Sequence, residues 1–422
     1  MTWPPGWVSS LYSAHMAQFD LILRGGHVID PANGRDSMMD VAVKDRRIAR
    51  VAPGIADTAD IVLDVAGLYV TPGLIDIHVH VYPRRGDDGP TWQASLVPDA
   101  HSFRAGVTTF VDAGTSGADH FADFKQKWID RSQTRVLAWL NIAAGGMGDG
   151  EQDPPQFDVQ RAVATQAAYP DAIVGFKTAH YWTRDPWDKA HPDPWASVDA
   201  AVAAGERANR PVMVDFWPRP PERSYQDLIL KHMRPGDVHT HVFAQQFPIV
   251  HPDGRVQDHM WQARERGVLF DVGHGGASFW FRNAAPAYAA DFPPDSISTD
   301  LHLGSLNGAA LDTLHTVSKC IAFGMPLAEA ISRATVTPAR AIRRTDLGTL
   351  SEGAEADVTV LRWIDQPRGF ADCGRAKLVG QGELACMLTL RGGRVVWDPS
   401  GIGMPNWQDA PATYWNVPAL QR

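Results

Sequence analysis

Cysteine is scarce, with Cys320, Cys373 and Cys386 the only three in 422 residues. Odd in number and widely spaced, they form neither a disulfide framework nor a zinc-ribbon spacing, and they suit a reducing cytoplasm as small apolar residues. Long apolar runs are also lacking, and none approaches the ~18–20 residues of a membrane span. Met1 to Gln18 has no basic segment followed by an apolar core, so it does not read as a signal peptide. No block of lysine and arginine interrupts a formal charge of −9, which argues against nucleic acid or anionic membrane as partner and leaves a small molecule. Composition leaves the oligomeric state open, a homo-oligomer included.

What is present is an ordinary globular composition, 44% hydrophobic and 21% charged. Residues 1–18 read as a flexible extension and 401–422 as a C-terminal tail. Segments 19–71 and 345–400 carry short alternating apolar runs broken by glycine, proline and aspartate, which predict a small β-sandwich built from both ends of the chain. Between them, over 72–344, strand and helix patterns alternate. Strands are expected at 74–80, 107–112, 136–142, 173–177, 212–216, 238–243, 268–272 and 297–300. Eight such repeats predict an α/β fold, a (β/α)8 TIM-type barrel, with its chemistry at the C-terminal ends of the strands.

His78 and His80 lie two apart on the first of these strands, so both imidazoles face one way and can share one cation. Taken alone, the pair could equally be two unrelated polar residues at a strand end. It follows Val70-Thr71-Pro72-Gly73-Leu74-Ile75-Asp76-Ile77, and this segment resembles the strand-one signature of the amidohydrolase superfamily. Leu23-Arg24-Gly25-Gly26, Gly348-Thr349-Leu350 and Gly353-Ala354-Glu355-Ala356-Asp357 are similar to that family's flanking pieces. Gly106-Val107-Thr108-Thr109-Phe110-Val111-Asp112, Phe176-Lys177 and Thr240-His241-Val242-Phe243 look like its dihydroorotase-like deacetylase branch.

The resemblance implies a metal-dependent hydrolase of an amide or ester bond: an N-acyl amino acid, an O-acetyl ester or a cyclic amide. It implies one or two divalent cations, zinc or else manganese, with His78, His80 and Asp300 at the first. Lys177 would carry carbon dioxide as a carbamate bridging to a second cation at His241; the alternative is an ammonium paired with an acid. Asp300 would be the base that moves the proton of an activated water, the alternative being a helix N-cap.

Strand five departs from the resemblance, ending in Val214-Asp215-Phe216-Trp217 where a histidine is usual. Asp215 either binds the second cation directly or leaves that site weak. His239, two before His241, is expected to point the same way, as a partner of Asp215 or as packing in the barrel. His274 sits in a glycine-rich turn suited to a substrate or oxyanion contact, or to open solvent. His180 and His302 are weaker candidates of that kind. Trp182, Trp187, Trp195, Trp217 and Trp280 fall in the loops after the strands, where they would wall an aromatic pocket or pack the loops together. Arg184, Arg219 and Arg282 in those loops would clamp a carboxylate or lie at the surface. The competing readings are a mononuclear nucleobase-type deaminase, against which Lys177 counts, and a non-catalytic barrel, for which only Asp215 speaks.

Overall fold

A computed structural model describes residues 17–411 apart from 87–88, 93 and 184–192. Arg184 and Trp187, nearly all of the N-terminal extension and half of the C-terminal tail lie outside the described residues.

Seven parallel strands stand side by side in chain order: Leu74–Val79, Val107–Ala113, Arg135–Asn141, Ile173–Thr178, Val212–Val214, Val238–His239 and Leu269–Phe270. The eighth expected strand forms no regular ladder. Its segment still closes the barrel, through single bridges from Ser296 to Asp271 and from Leu301 to Val79. The last strands are shorter than their sequence pattern suggests because the backbone leaves extended geometry early. His241 and Asp300 take φ of 63° and 47°, in the left-handed region that interrupts a strand. Ile75, Val111, Leu137, Trp139, Met213 and Val238 fill the barrel in one buried cluster. Helices such as Ala196–Ala208 and Thr313–Ala322 surround it, the second capped where the Asp312 side chain accepts from the His315 backbone N–H. No helix among the described residues is long and apolar enough to cross a membrane.

The two β-rich flanks meet in one eight-stranded sheet, where Tyr69–Pro72 runs antiparallel to Val358–Ile364. Its first strand, Phe19–Asp30, shifts register at the Gly25-Gly26 step and pairs with Ala59–Asp64 before the step and Tyr69–Pro72 after it. A hairpin from the C-terminal flank, Arg368–Ala371 with Lys377–Gly380, leaves this sheet and returns to the barrel. There Asp372 accepts from the Phe281 N–H at 3.0 Å and Cys373 donates its N–H to Phe279 O at 2.9 Å.

Barrel and sheet are also joined by ions. Arg135, on the third barrel strand, donates to Asp357 at 2.7 Å and Glu355 at 2.6 Å, and Arg391 bonds the same two acids. The Arg135 side chain is only 10% exposed, so truncating it leaves buried Asp357 and the more open Glu355 to Arg391. Arg135→Ala is expected to lower unfolding stability by roughly 2 kcal/mol, the loss of its charged hydrogen bonds with Arg391 still in place. Urea denaturation checks this, and an unchanged midpoint would show that Arg391 alone holds the seam.

Candidate metal centre and pocket

The first strand shifts register against its neighbour between Asp76 and Val79. Ile75 and Ile77 already point into the barrel, and the shift resets the alternation so that His78 and His80 point inwards as well. Each imidazole is then anchored through its far nitrogen. His78 Nδ1 lies 2.8 Å from Thr240 Oγ1, and that hydroxyl donates to Asp271 Oδ2 at 2.8 Å. Thr240 must therefore accept from His78 Nδ1–H, which leaves the Nε2 lone pair for a ligand. His80 Nδ1 lies 2.8 Å from Thr115 Oγ1, and the Thr115 side chain in turn bonds Asp112. Burial holds the His78 imidazole well below its ordinary pKa, in the neutral form that binds cations.

Asp300 completes this group, with Oδ1 at 3.0 Å from His80 Nε2 and 3.5 Å from His78 Nε2. Among the described residues, these three are the group whose ligand atoms all lie within 4.8 Å of one another. Burial raises the Asp300 carboxyl, but the hydrogen bond and charge of His80 outweigh it and hold the pKa at about 2. No helix begins at Asp300, which removes the N-cap alternative; the next starts at Thr313. Gly275 is required beside it, because a Cβ there would meet Asp300 Oδ2 at 2.5 Å and φ is 56°.

Lys177 Nζ lies 3.4 Å from His78 Nε2 and 3.6 Å from Met213 Sδ. Among the described residues no carboxylate comes within 4.0 Å of it, so the buried ammonium–acid pair is not formed. Burial lowers its pKa against the opposing pull of Asp215 and Asp300, favouring the neutral amine.

Strand six departs from the expected alternation. His241 donates through Nδ1 to Gly273 O, which frees Nε2, and that atom lies 3.7 Å from Asp215 Oδ2. His239 does not share its direction. It packs outside the barrel against Tyr225, Phe247 and Phe270, with Nδ1 3.3 Å from Val214 O. Period-two reasoning fails here because the strand ends at His239 and the left-handed turn at His241 brings the next ring inwards. His239 is therefore packing, not a partner of Asp215.

Asp215 also faces His180, whose Nε2 is 3.8 Å from Asp215 Oδ2 and whose Nδ1 bonds Glu151 at 2.8 Å. Glu151 is buried and held by Asn141 Nδ2 at 2.8 Å. Sequence reasoning missed Glu151, Thr115, Thr240 and Asp271. Thr240 stands in the strand-six motif itself and Thr115 shortly after the strand-two one, but their partners lie 162 and 35 residues away along the chain.

Asp300, Asp215, His180 and His241 open into a pocket of about 400 Å³ whose wall also includes Phe216, Trp217, Gln245, Gln246 and Ser278. A larger hollow of about 610 Å³ on the terminal sheet is lined by none of them. Trp217 and His302 line the pocket, and Trp182, which is buried, does not. Trp195 stacks on His232 and Phe216, while Trp280 donates to Ala277 O and carries Arg282 over its ring. Arg219 and Arg282 are absent from the pocket wall.

His274 is buried and does not line the pocket. Its Nε2 lies 2.6 Å from Lys319 Nζ, its Nδ1 3.0 Å from Gly275 O, and its ring stacks on Phe279. Lys319 Nζ also donates to Ala309 O and Ala371 O, each at 2.8 Å, so the histidine serves to fix the turn.

No protein-family model matches the chain. A deacetylase of Brucella anthropi is 31% identical over 339 residues, covering 78% of this chain and 81% of that protein. One of Enterococcus faecalis is 29% identical over 383 residues, covering 89% and 99%. Among solved structures, an adenine deaminase superposes with a TM-score of 0.80 at 28% identity, covering 90% of this chain and all of that one (100%). A dihydroorotase superposes at 0.76 with 27% identity, covering 90% and 99%.

Proposed function

Because the chain belongs to the amidohydrolase superfamily, in its dihydroorotase-like deacetylase branch, we propose that it hydrolyses the amide or ester bond of a small acylated substrate. At the coarser level it is a metal-dependent hydrolase acting on C–N bonds. The finer reading covers an N-acyl amino acid, an O-acetyl ester or a cyclic amide. The observation that carries it is the group His78, His80 and Asp300, with the Lys177 amine beside it, opening into the Trp217-walled pocket.

The donor set suits zinc or manganese, since two imidazoles are tautomerically set with Nε2 towards one carboxylate. His78, His80 and Asp300 would hold the first cation, and Lys177 as its carbamate, with His241 and Asp215, a second. When bound, such a cation supplies Lewis acidity, lowering the pKa of a water and polarising a carbonyl. The chain does the rest. Asp300 accepts the proton of the attacking water on its carboxylate and returns it to the leaving group. Phe216 and Trp217 shed water from the acyl side, and Gln245, Gln246 and Ser278 offer amide and hydroxyl contacts to the rest of the substrate.

The superposition on an adenine deaminase supports a second reading, deamination of a nucleobase-like ring, for which the two glutamines are suited base-edge partners. A screen of zinc- or manganese-loaded protein against acylated amino acids, aryl esters, cyclic imides and adenine separates the two. Chelator-sensitive release of carboxylic acid is expected. Ammonia from adenine with no acyl hydrolysis would favour the deaminase, and protein that binds no cation after loading would sink both.

A further inference from the structure

Three donor groups from three successive strand ends converge at one side of the pocket. His180 follows strand four, Asp215 follows strand five and His241 follows strand six. The Nε2 atoms of both histidines approach the same oxygen, Asp215 Oδ2, at 3.8 and 3.7 Å. Ligand atoms about 2.1 Å from a shared tetrahedral cation stand about 3.4 Å apart, so the two gaps to Asp215 need to close by only a few tenths of an ångström, while the two Nε2 atoms, more than 4.8 Å from each other, must draw together further.

The outer bonds of the two imidazoles are of one kind. His241 Nδ1 is tied to the Gly273 carbonyl, and His180 Nδ1 is tied at 2.8 Å to Glu151. Glu151 is itself fixed at both oxygens, by Asn141 Nδ2 at 2.8 Å and by the Gly148 N–H at 3.1 Å. A carboxylate clamped on Nδ1 fixes the ring and directs the Nε2 lone pair outwards, the arrangement that orients a metal-binding histidine. The backbone agrees, since His180 takes φ of 57°, an uncommon conformation that turns its half-exposed ring to the pocket rim.

We propose that His180 is a ligand of the second cation, held with Asp215, His241 and Lys177, and that Glu151 is its positioning residue. This rests on the hydrolase reading above but is separable from it, because the His78, His80 and Asp300 group does not include His180. An imidazolium that merely pairs with Glu151 and Asp215 is the competing account.

The test loads the full chain with zinc, desalts it and counts metal by mass spectrometry, with chelator competition for the second dissociation constant. Two zinc ions per chain are expected in the wild type and one in His180→Ala. Glu151→Gln leaves the imidazole in place and is expected to weaken the second ion about 10- to 100-fold, with the first unchanged. Circular dichroism checks folding, and should His180→Ala misfold, Glu151→Gln carries the test alone. Two ions held equally well in all three proteins, or one ion in the wild type, overturns the proposal. No ion in the wild type overturns the hydrolase reading with it.

Discussion

Asp300→Asn is expected to lose roughly 10³-fold in kcat while keeping its first cation. The substitution preserves size and leaves an oxygen for the cation that the two imidazoles, 3.0 and 3.5 Å away, would share. It removes the carboxylate that faces both imidazoles and is assigned the proton. Elemental analysis beside steady-state kinetics separates the roles. Turnover close to wild type would refute the base assignment, and loss of the cation together with activity would make Asp300 a ligand first.

Lys177→Ala carries the other large effect: loss of most bound metal and of turnover, with partial rescue by short carboxylic acids. The amine lies beside His78 with no carboxylate in salt-bridge range among the described residues. Removing it leaves a buried gap lined by Met213 and His78, which an acetate- or propionate-sized anion fits in place of a carbamate. Full metal retention without rescue would count against the carbamate and favour a lysine that only shapes the site.

Much of the barrel was legible because its signal is local. Apolar runs ending in a polar residue recur along 72–344, and His78, His80, Lys177, Asp215, His241 and Asp300 all sit where such runs stop. What stayed hidden depends on backbone turns and distant pairs. His239 was misread because alternation presumes a strand that continues, and this one ends at that residue. His274 was misread because its partner, Lys319, lies 45 residues on in a helix whose buried face gives no sign of a polar clamp. The threonine links behind His78 and His80 were beyond reach for the same reason, and a regular eighth strand was expected where Asp300 turns left-handed. The aromatic pocket was half visible: Trp217 reaches it, while Trp182 is buried away from its wall and Trp195 stacks on His232 and Phe216.

The hairpin that returns to the barrel has a consequence for the order in which the molecule is made. A ribosome delivers the chain N-terminus first, so every barrel strand is out before residues 368–376 appear. Until then Lys319 lacks the Ala371 carbonyl, and the turn from Gly273 to Gly275, which holds His241 and crowds Asp300, lacks one of its fixings. The nascent barrel is thus a vessel with an unfinished rim. The segment from residue 368 onward is what sets it, which ties the finished geometry around His241 and Asp300 to a late stage of synthesis.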